Sequence, residues 1–349
     1  MEQETVEQQP GQEIRGYLKK YYGRVLKQTA DLEQKACCAN TTMARFTDIL
    51  ALIPDEVRQR NYGCGCTVPS DDLTGLRVLD LGSGAGLDAF ILSKLVGDSG
   101  HVQGVDMTDE QLEVARRNQA RVAKAFGYSQ VNTEFLHGYI ETVEPVESAS
   151  IDLVISNCVI NLSPLKNKVF ETIYRVLKPG GEFYISDIVA DRHVPEEIRR
   201  DPKMVAECLG NAPYEHDLFD IMKDSGFADP RLVSRTPIDQ DVNGQPIRFY
   251  SSTIRGCKLE SPLDRRCEDF GQFATYRGTC DLQPARFVFD DHHGFEAHRP
   301  TAVCRNTARM LSETRLGRYF EVTEPVRHFG IFPCGPEPVS TDPGSSPCC

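Results

Sequence analysis

Residues 79–88 read LDLGSGAGLD. The apolar run RVLDL just before the glycines has the length and composition of a buried strand, with Asp80 near its end. Gly82, Ser83 and Gly84 then form a turn in which the backbone can bend sharply and approach a ligand closely. A helix is expected from there through Leu95-Val96, stopping at Gly97. A dinucleotide site would want G-x-G-x-x-G, with its last glycine at position 87. That position is Leu87, so the turn reads G-x-G-x-G and the pyrophosphate reading weakens.

Outward from this turn, strands and helices alternate. HVQGVD is a second strand, and Thr108 with Gln111 offers a capping box for a helix running to about Phe126. VNTEFLHG and IDLVISN are a third and a fourth strand. Ser163-Pro164 should start the next helix, which Gly180-Gly181 should end, and EFYISD is a fifth strand. Two more strands, RLVSR and RFYSSTI, follow before residue 258. Such alternation predicts an α/β, Rossmann-like, mostly parallel sheet with helices on both faces. Together with the preceding acidic residue, the Gly turn resembles that of the class I S-adenosylmethionine (SAM) methyltransferases. On that reading Asp106, at the tip of the second strand, would accept both ribose hydroxyl protons, and Met107 would pack on the purine. Ile140 and Glu141, in HGYIE, would flank the adenine and its amino group.

The 349 residues suffice for two or three domains. A net charge of −12 argues against nucleic acid or an anionic membrane as partner. No run is apolar enough for a transmembrane helix, and the polar, acidic N-terminus lacks the features of a signal peptide. A cytoplasmic protein is expected. Its 13 cysteines then point to soft-metal or thiol chemistry, or to packing alone.

The fourth strand ends ISNCVINL, residues 155–162. In such folds a substrate meets the cofactor at this tip, yet it carries Asn157-Cys158 and no obvious base. Cys64 sits between glycines in NYGCGC, and Cys208 ends a helical stretch in AECLGNA. Three thiolates brought together would make a soft trigonal site. Trivalent arsenic suits it, because three As–S bonds leave one lone pair for a displacement that needs no general base. Two blander readings stand beside this one. Each cysteine could be a small buried hydrophobe. Cys64-x-Cys66 could also belong to a zinc site, although its spacing is unusual and no second pair lies near.

The chain resembles the arsenite methyltransferases. The resemblance rests on YYGRVL (21–26), DLEQKAC (31–37), YGCG (62–65), the Gly turn, GHVQGVDMT (100–108), HGYIE (137–141), SNCVINL (156–162), YRVLKPGGE (174–182) and ECLG (207–210). It implies that Cys64, Cys158 and Cys208 bind arsenic. It also implies that Cys37 forms a disulfide with Cys64 during turnover. Tyr21 would belong to a lid over the methionine end of SAM, with Asn157 beside that end. The organisation implied is an N-terminal lid and cysteine-bearing segment (1–70), a SAM-binding core (71–187), an arsenic-binding region (188–258), a C-terminal extra domain (259–334) and a disordered tail (335–349).

The expected reaction is methylation of arsenite, or of its thiol adduct, by SAM. Glutathione or thioredoxin would serve as reductant, and the enzyme would act as a monomer. Two other readings remain: a SAM methyltransferase for an organic small molecule, and a thiol-based soft-metal binding protein. Cys38 could replace Cys37, and Cys66 could replace Cys64. The terminal Cys348-Cys349 pair could capture arsenic or be inert.

Overall fold

The structure is a computed structural model and describes residues 12–26, 28–31, 45–238 and 246–334. Its centre is a seven-stranded sheet: β1 (Arg77–Leu81), β2 (His101–Asp106), β3 (Thr133–His137), β4 (Ile151–Asn157), β5 (Leu177–Ala190), β6 (Arg231–Ile238) and β7 (Phe249–Cys257). The order across the sheet is β3-β2-β1-β4-β5-β7-β6. The first five strands pair in parallel, and β7 runs antiparallel to both β5 and β6. The class I methyltransferase architecture expected from the sequence is therefore present.

Strand residues alternate between two apolar layers, as the two-residue period of a pleated strand requires. Val78, Val102, Leu153 and Ile155 pack with helices Leu87–Val96 and Asp109–Phe126 on one face. Leu79, Leu81, Val105 and Val154 pack with helices Lys166–Val176 and Glu215–Asp224 on the other. Among the described residues no helix is long and apolar enough to cross a membrane.

Three local expectations change. Thr108 is the N-cap residue, but its side chain makes no capping bond. Its backbone N–H donates to Asp106 at 2.8 Å, while Gln111 donates to the carbonyl of Tyr22 at 2.7 Å. A local carboxylate has taken one half of the box and a tertiary partner the other. The helix expected from Ser163-Pro164 begins at Lys166, because the Ser163 hydroxyl donates to Glu141 and accepts from the Leu165 N–H. Gly180-Gly181 ends no helix: the helix stops at Val176, and β5 already runs from Leu177.

Residues beyond Leu259 form a further apolar cluster around Tyr276, Phe287, Phe289, Phe295 and Phe320. Its strands Gln272–Tyr276, Pro300–Val303 and Phe320–Val322 pair as one antiparallel sheet, with helix Arg305–Glu313 in the same cluster. These short strands have no counterpart in the sequence reading.

A buried charge network joins this part to the core. Glu182, on β5, pairs with Arg255 of β7 and with Arg315 from the C-terminal part, and Arg315 also reaches Asp71 at 2.9 Å. All four are nearly inaccessible to solvent. Burial alone would raise the Glu182 pKa, but two guanidinium groups hold it below its ordinary 4.5. Asp71 has only Arg315 as a direct partner, and burial pushes it up.

Arg315→Ala should cost about 3–5 kcal/mol in urea denaturation, since it strands buried carboxylates. Arg318→Ala, which removes an exposed pair with Asp72, should cost about 0.5 kcal/mol or less. Because the Glu182 pKa is depressed, its stabilising contribution is present above its unfolded value and is lost as pH falls through the folded one. Glu182→Gln should therefore flatten the fall in stability below about pH 4.5. An unchanged acid limb would show that this carboxylate is not a source of it.

Candidate active site

A cleft opens at the C-terminal ends of β1, β2, β3 and β4. It lies where the strand order reverses between β1 and β4, the usual ligand position in open α/β sheets. Asp80, Gly82, Ser83, Gly84, Asp106, Met107, Ile140, Glu141, Asn157 and Cys158 all line it. Gly82 adopts φ +74°, and a Cβ there would strike Val159.

Three carboxylates crowd the floor. Asp80 is buried, and its Oδ2 has no hydrogen-bond partner. Burial, then Asp88 and Asp106 nearby, push its pKa well up. Such an arrangement wants a positive group or a donor in the cleft, and it fits a ligand with an ammonium or sulfonium centre. Asp106 accepts from the backbone N–H of Gly84 at 2.9 Å through Oδ2 and from Thr108 through Oδ1. It therefore holds the Gly turn as well as facing the cleft.

The N-terminal helix Gln12–Lys20 lies against this opening. Arg15 donates to Glu141 at 2.9 Å and stacks over Tyr139, and Leu18 and Tyr22 line the cleft. Tyr21, the tyrosine expected at the cofactor, is not among the lining residues. Its hydroxyl donates to Glu207 at 3.0 Å, beside Cys208. The next residue, Tyr22, points to the cleft instead. Arg15 and Leu18 were also missed, although they share the helical spacing with Tyr22.

Behind Cys158 the other two thiol positions converge. Cys64 and Cys158 form a disulfide, with Cα atoms 5.9 Å apart. The Cys208 sulfur lies within 4.8 Å of that of Cys158 and donates to the Cys158 carbonyl at 3.0 Å. Cys158 and Cys208 have φ +57° and +65°. This left-handed region is unfavourable for a residue with a Cβ.

Asn157 holds the arrangement together. Its Oδ1 accepts from the N–H groups of Cys64 (3.0 Å) and Gly65 (3.3 Å), and its Nδ2 donates to the Gly65 carbonyl and to Asp88. Cys66 points elsewhere, toward Arg45 and the Val68 carbonyl. Of the two cysteines in NYGCGC, Cys64 is thus the one beside Cys158. Cys37, Cys38, Cys348 and Cys349 lie outside the described residues, as does the disulfide expected between Cys37 and Cys64. In the state seen here the partner of Cys64 is Cys158.

Asp187 was not anticipated. Its carboxylate lies within 4.8 Å of the Cys158 and Cys208 sulfurs. Burial pushes its pKa up to about 6, against backbone N–H bonds from Ile188 and Asn161 and the nearby Lys166. Burial likewise pulls Lys166 down to about 8. A buried carboxylate and an amine in one thiol pocket were invisible as a pair in the sequence, because their strand and helix meet only in the fold.

A bacterial relative from Aquipseudomonas alcaligenes, named an arsenite methyltransferase, is 46% identical over 90% of this chain and 93% of its own length. The chain belongs to the arsenite methyltransferases. The human arsenite methyltransferase is 37% identical over 88% of this chain and 83% of its own. The crystal structure of an arsenic(III) S-adenosylmethionine methyltransferase from Chlamydomonas reinhardtii superposes with TM-score 0.78 at 41% identity, covering 82% of this chain and 97% of that one. A family model described as a methyltransferase domain matches residues 72–226. That match includes the Gly turn, Cys158 and Cys208 but not Cys64.

A Cβ on Gly65 would collide with the Ser186 hydroxyl, so Gly65→Ala must displace the loop that carries Cys64. The variant should raise the KM for arsenite roughly tenfold, since small misplacements of reacting groups are costly. Its affinity for SAM, measured by calorimetry, should change less than about twofold. An equal loss in both would mean that the loop serves the whole cleft rather than the thiol end.

Proposed function

We propose that the protein methylates trivalent arsenic held by Cys64, Cys158 and Cys208, with SAM in the cleft. The meeting of Cys64 and Cys208 with Cys158, which itself lines that cleft, carries this reading. When bound, SAM supplies an electrophilic methyl group on a sulfonium centre. The residues that would hold it are Asp80 and Asp106, the Gly82–Gly84 turn, Met107 with Ile140 beside the base, and Asn157.

The chain's own residues account for the rest. Asn157 and the left-handed turn at Cys158 fix one sulfur where the cleft ends, and Cys64 and Cys208 stand behind it. An arsenic atom bound by all three keeps a lone pair as nucleophile, so no base is needed at the reacting centre. Thiol protons released on binding have Asp187 as an acceptor within 4.8 Å of two of the sulfurs. Three thiolates require reduced cysteines, whereas two of the ligands are joined in the structure. That bond is the oxidised form of the site. It would arise if the thiols return two electrons to arsenic after methyl transfer, and it must be reopened by an external thiol. Glutathione or a thioredoxin in a reducing compartment such as the cytoplasm fits this need. Cys37 remains a candidate to relay the exchange.

Cys64→Ser, Cys158→Ser and Cys208→Ser should each reduce arsenite methylation by about 100-fold or more, because each removes one of three bonds to the substrate. Protein oxidised at Cys64 and Cys158 should bind no arsenite at this site until a dithiol is added. Three serine variants all turning over at the wild-type rate, with methylated arsenic followed by chromatography, would remove the three-sulfur site from consideration.

A further inference from the structure

The C-terminal part holds a second convergence of sulfur. Cys267 immediately precedes strand Glu268–Asp269, which pairs antiparallel with Gly330–Ile331. The Phe332 N–H donates to the Cys267 carbonyl at 2.8 Å, and the Cys334 N–H to the Phe332 carbonyl at 2.8 Å. This continued pairing returns Cys334 to the side of Cys267. Cys304 arrives from a third segment as the N-cap of helix Arg305–Glu313. The three sulfurs lie within 4.8 Å of one another.

The surroundings of Cys304 are not those of a cysteine used as filler. Cys257 and Cys280 belong to the neighbouring apolar cluster. Cys304 is fully buried yet stands outside that cluster. Its sulfur meets the Thr307 N–H at 3.4 Å, the Thr307 hydroxyl at 3.2 Å and the Arg231 guanidinium at 3.8 Å. A helix N-terminus, a hydroxyl and a guanidinium all favour a thiolate there. Cys267 and Cys334 are only partly buried, which leaves a route from solvent to the cluster.

We propose that Cys267, Cys304 and Cys334 form a second arsenic site, one that holds trivalent arsenic as a trithiolate away from the methyl-transfer cleft. Three soft donors suit a trigonal-pyramidal ion, whereas zinc in structural sites takes four ligands. The described residues supply three sulfurs and no fourth side-chain ligand to this group. Charge favours the same choice. Arg231 is already paired with Asp229 and Asp290, so its charge is engaged by carboxylates rather than left to offset an anionic complex. A neutral arsenic trithiolate needs no such offset, whereas a zinc trithiolate would add a negative charge.

Loading from arsenous acid breaks three As–O bonds and forms three As–S bonds. The three thiol protons leave with the three hydroxyls as water, and no electron is transferred. None of the cleft-lining residues belongs to this cluster. Arsenic there would be held rather than methylated, and the site stands or falls independently of the chemistry at Cys158.

The test is arsenic bound per chain, measured by elemental mass spectrometry after gel filtration of reduced full-length protein equilibrated with sodium arsenite and glutathione. Cys304→Ser and, separately, Cys334→Ser should each lower the retained arsenic by about one atom per chain relative to wild type. Taking the difference from wild type cancels every other thiol. Arsenite methylation should stay within about twofold in these variants, which shows that the fold survives. If Cys304→Ser fails that check, Cys334→Ser, at a partly exposed position, decides the matter. Unchanged arsenic content in the correctly folded variants would overturn the proposal. So would zinc that copurifies at about one atom per chain, depends on these cysteines and is not displaced by arsenite.

Discussion

The carboxamide of Asn157 is the joint on which the site turns. It projects from the tip of β4 and accepts from the loop that carries Cys64, while its amide donates to Asp88 in the first turn of the helix after the glycines. One planar group thus links the end of a strand, the Gly turn region and a sulfur-bearing loop from the N-terminal segment. An aspartate would keep the acceptor and lose the donor, placing another negative charge beside Asp80, Asp88 and Asp106. A leucine of similar size would leave two N–H groups unsatisfied and Asp88 with Thr67 alone as a side-chain donor. The residue next to the reactive sulfur is therefore constrained by geometry and charge together.

What could be read from the sequence followed the range of the interaction. The Gly turn, the strand pattern and the carboxylates at the strand tips are local, and a two-residue period with turn residues reveals them. The sulfur positions Cys64, Cys158 and Cys208 could be named through the family resemblance, but not their meeting, which needs three segments packed against Leu18, Ile188 and Phe249. Thr108 and Ser163 show the opposite failure. Each carries a sound local capping signal, but the Thr108 N–H goes to Asp106 two residues back, and Gln111 and Ser163 are taken by the distant Tyr22 and Glu141. Aromatic character likewise does not say which of two adjacent tyrosines faces a cleft: Tyr22 lines it and Tyr21 does not. The C-terminal strands, only two to five residues long, have too few alternations to register as strands.

The cysteines separate into physical classes that a count could not distinguish. Cys257 lies among apolar side chains, and burial pushes its thiol up to about 12. It behaves as a small hydrophobe. Cys66 sits beside a guanidinium at the edge of the thiol loop. The groups at Cys158 and at Cys304 each draw sulfur from three segments, the first inside an apolar cluster and the second with Cys304 outside one. Buried ion pairs between β5, β7 and the C-terminal part hold the two groups in one body.

The left-handed backbone at Cys158 and Cys208 bears on how this protein would respond to selection for robustness. Among the described residues only five non-glycine positions have positive φ, and these two are among them. A glycine at either position would relieve about 1–2 kcal/mol of backbone strain. The same change would remove a buried side chain from the apolar cluster, so thermal selection blind to catalysis meets two opposed terms at each of these cysteines. On the proposed reading, backbone strain, core packing and arsenic chemistry all meet at the same two α-carbons.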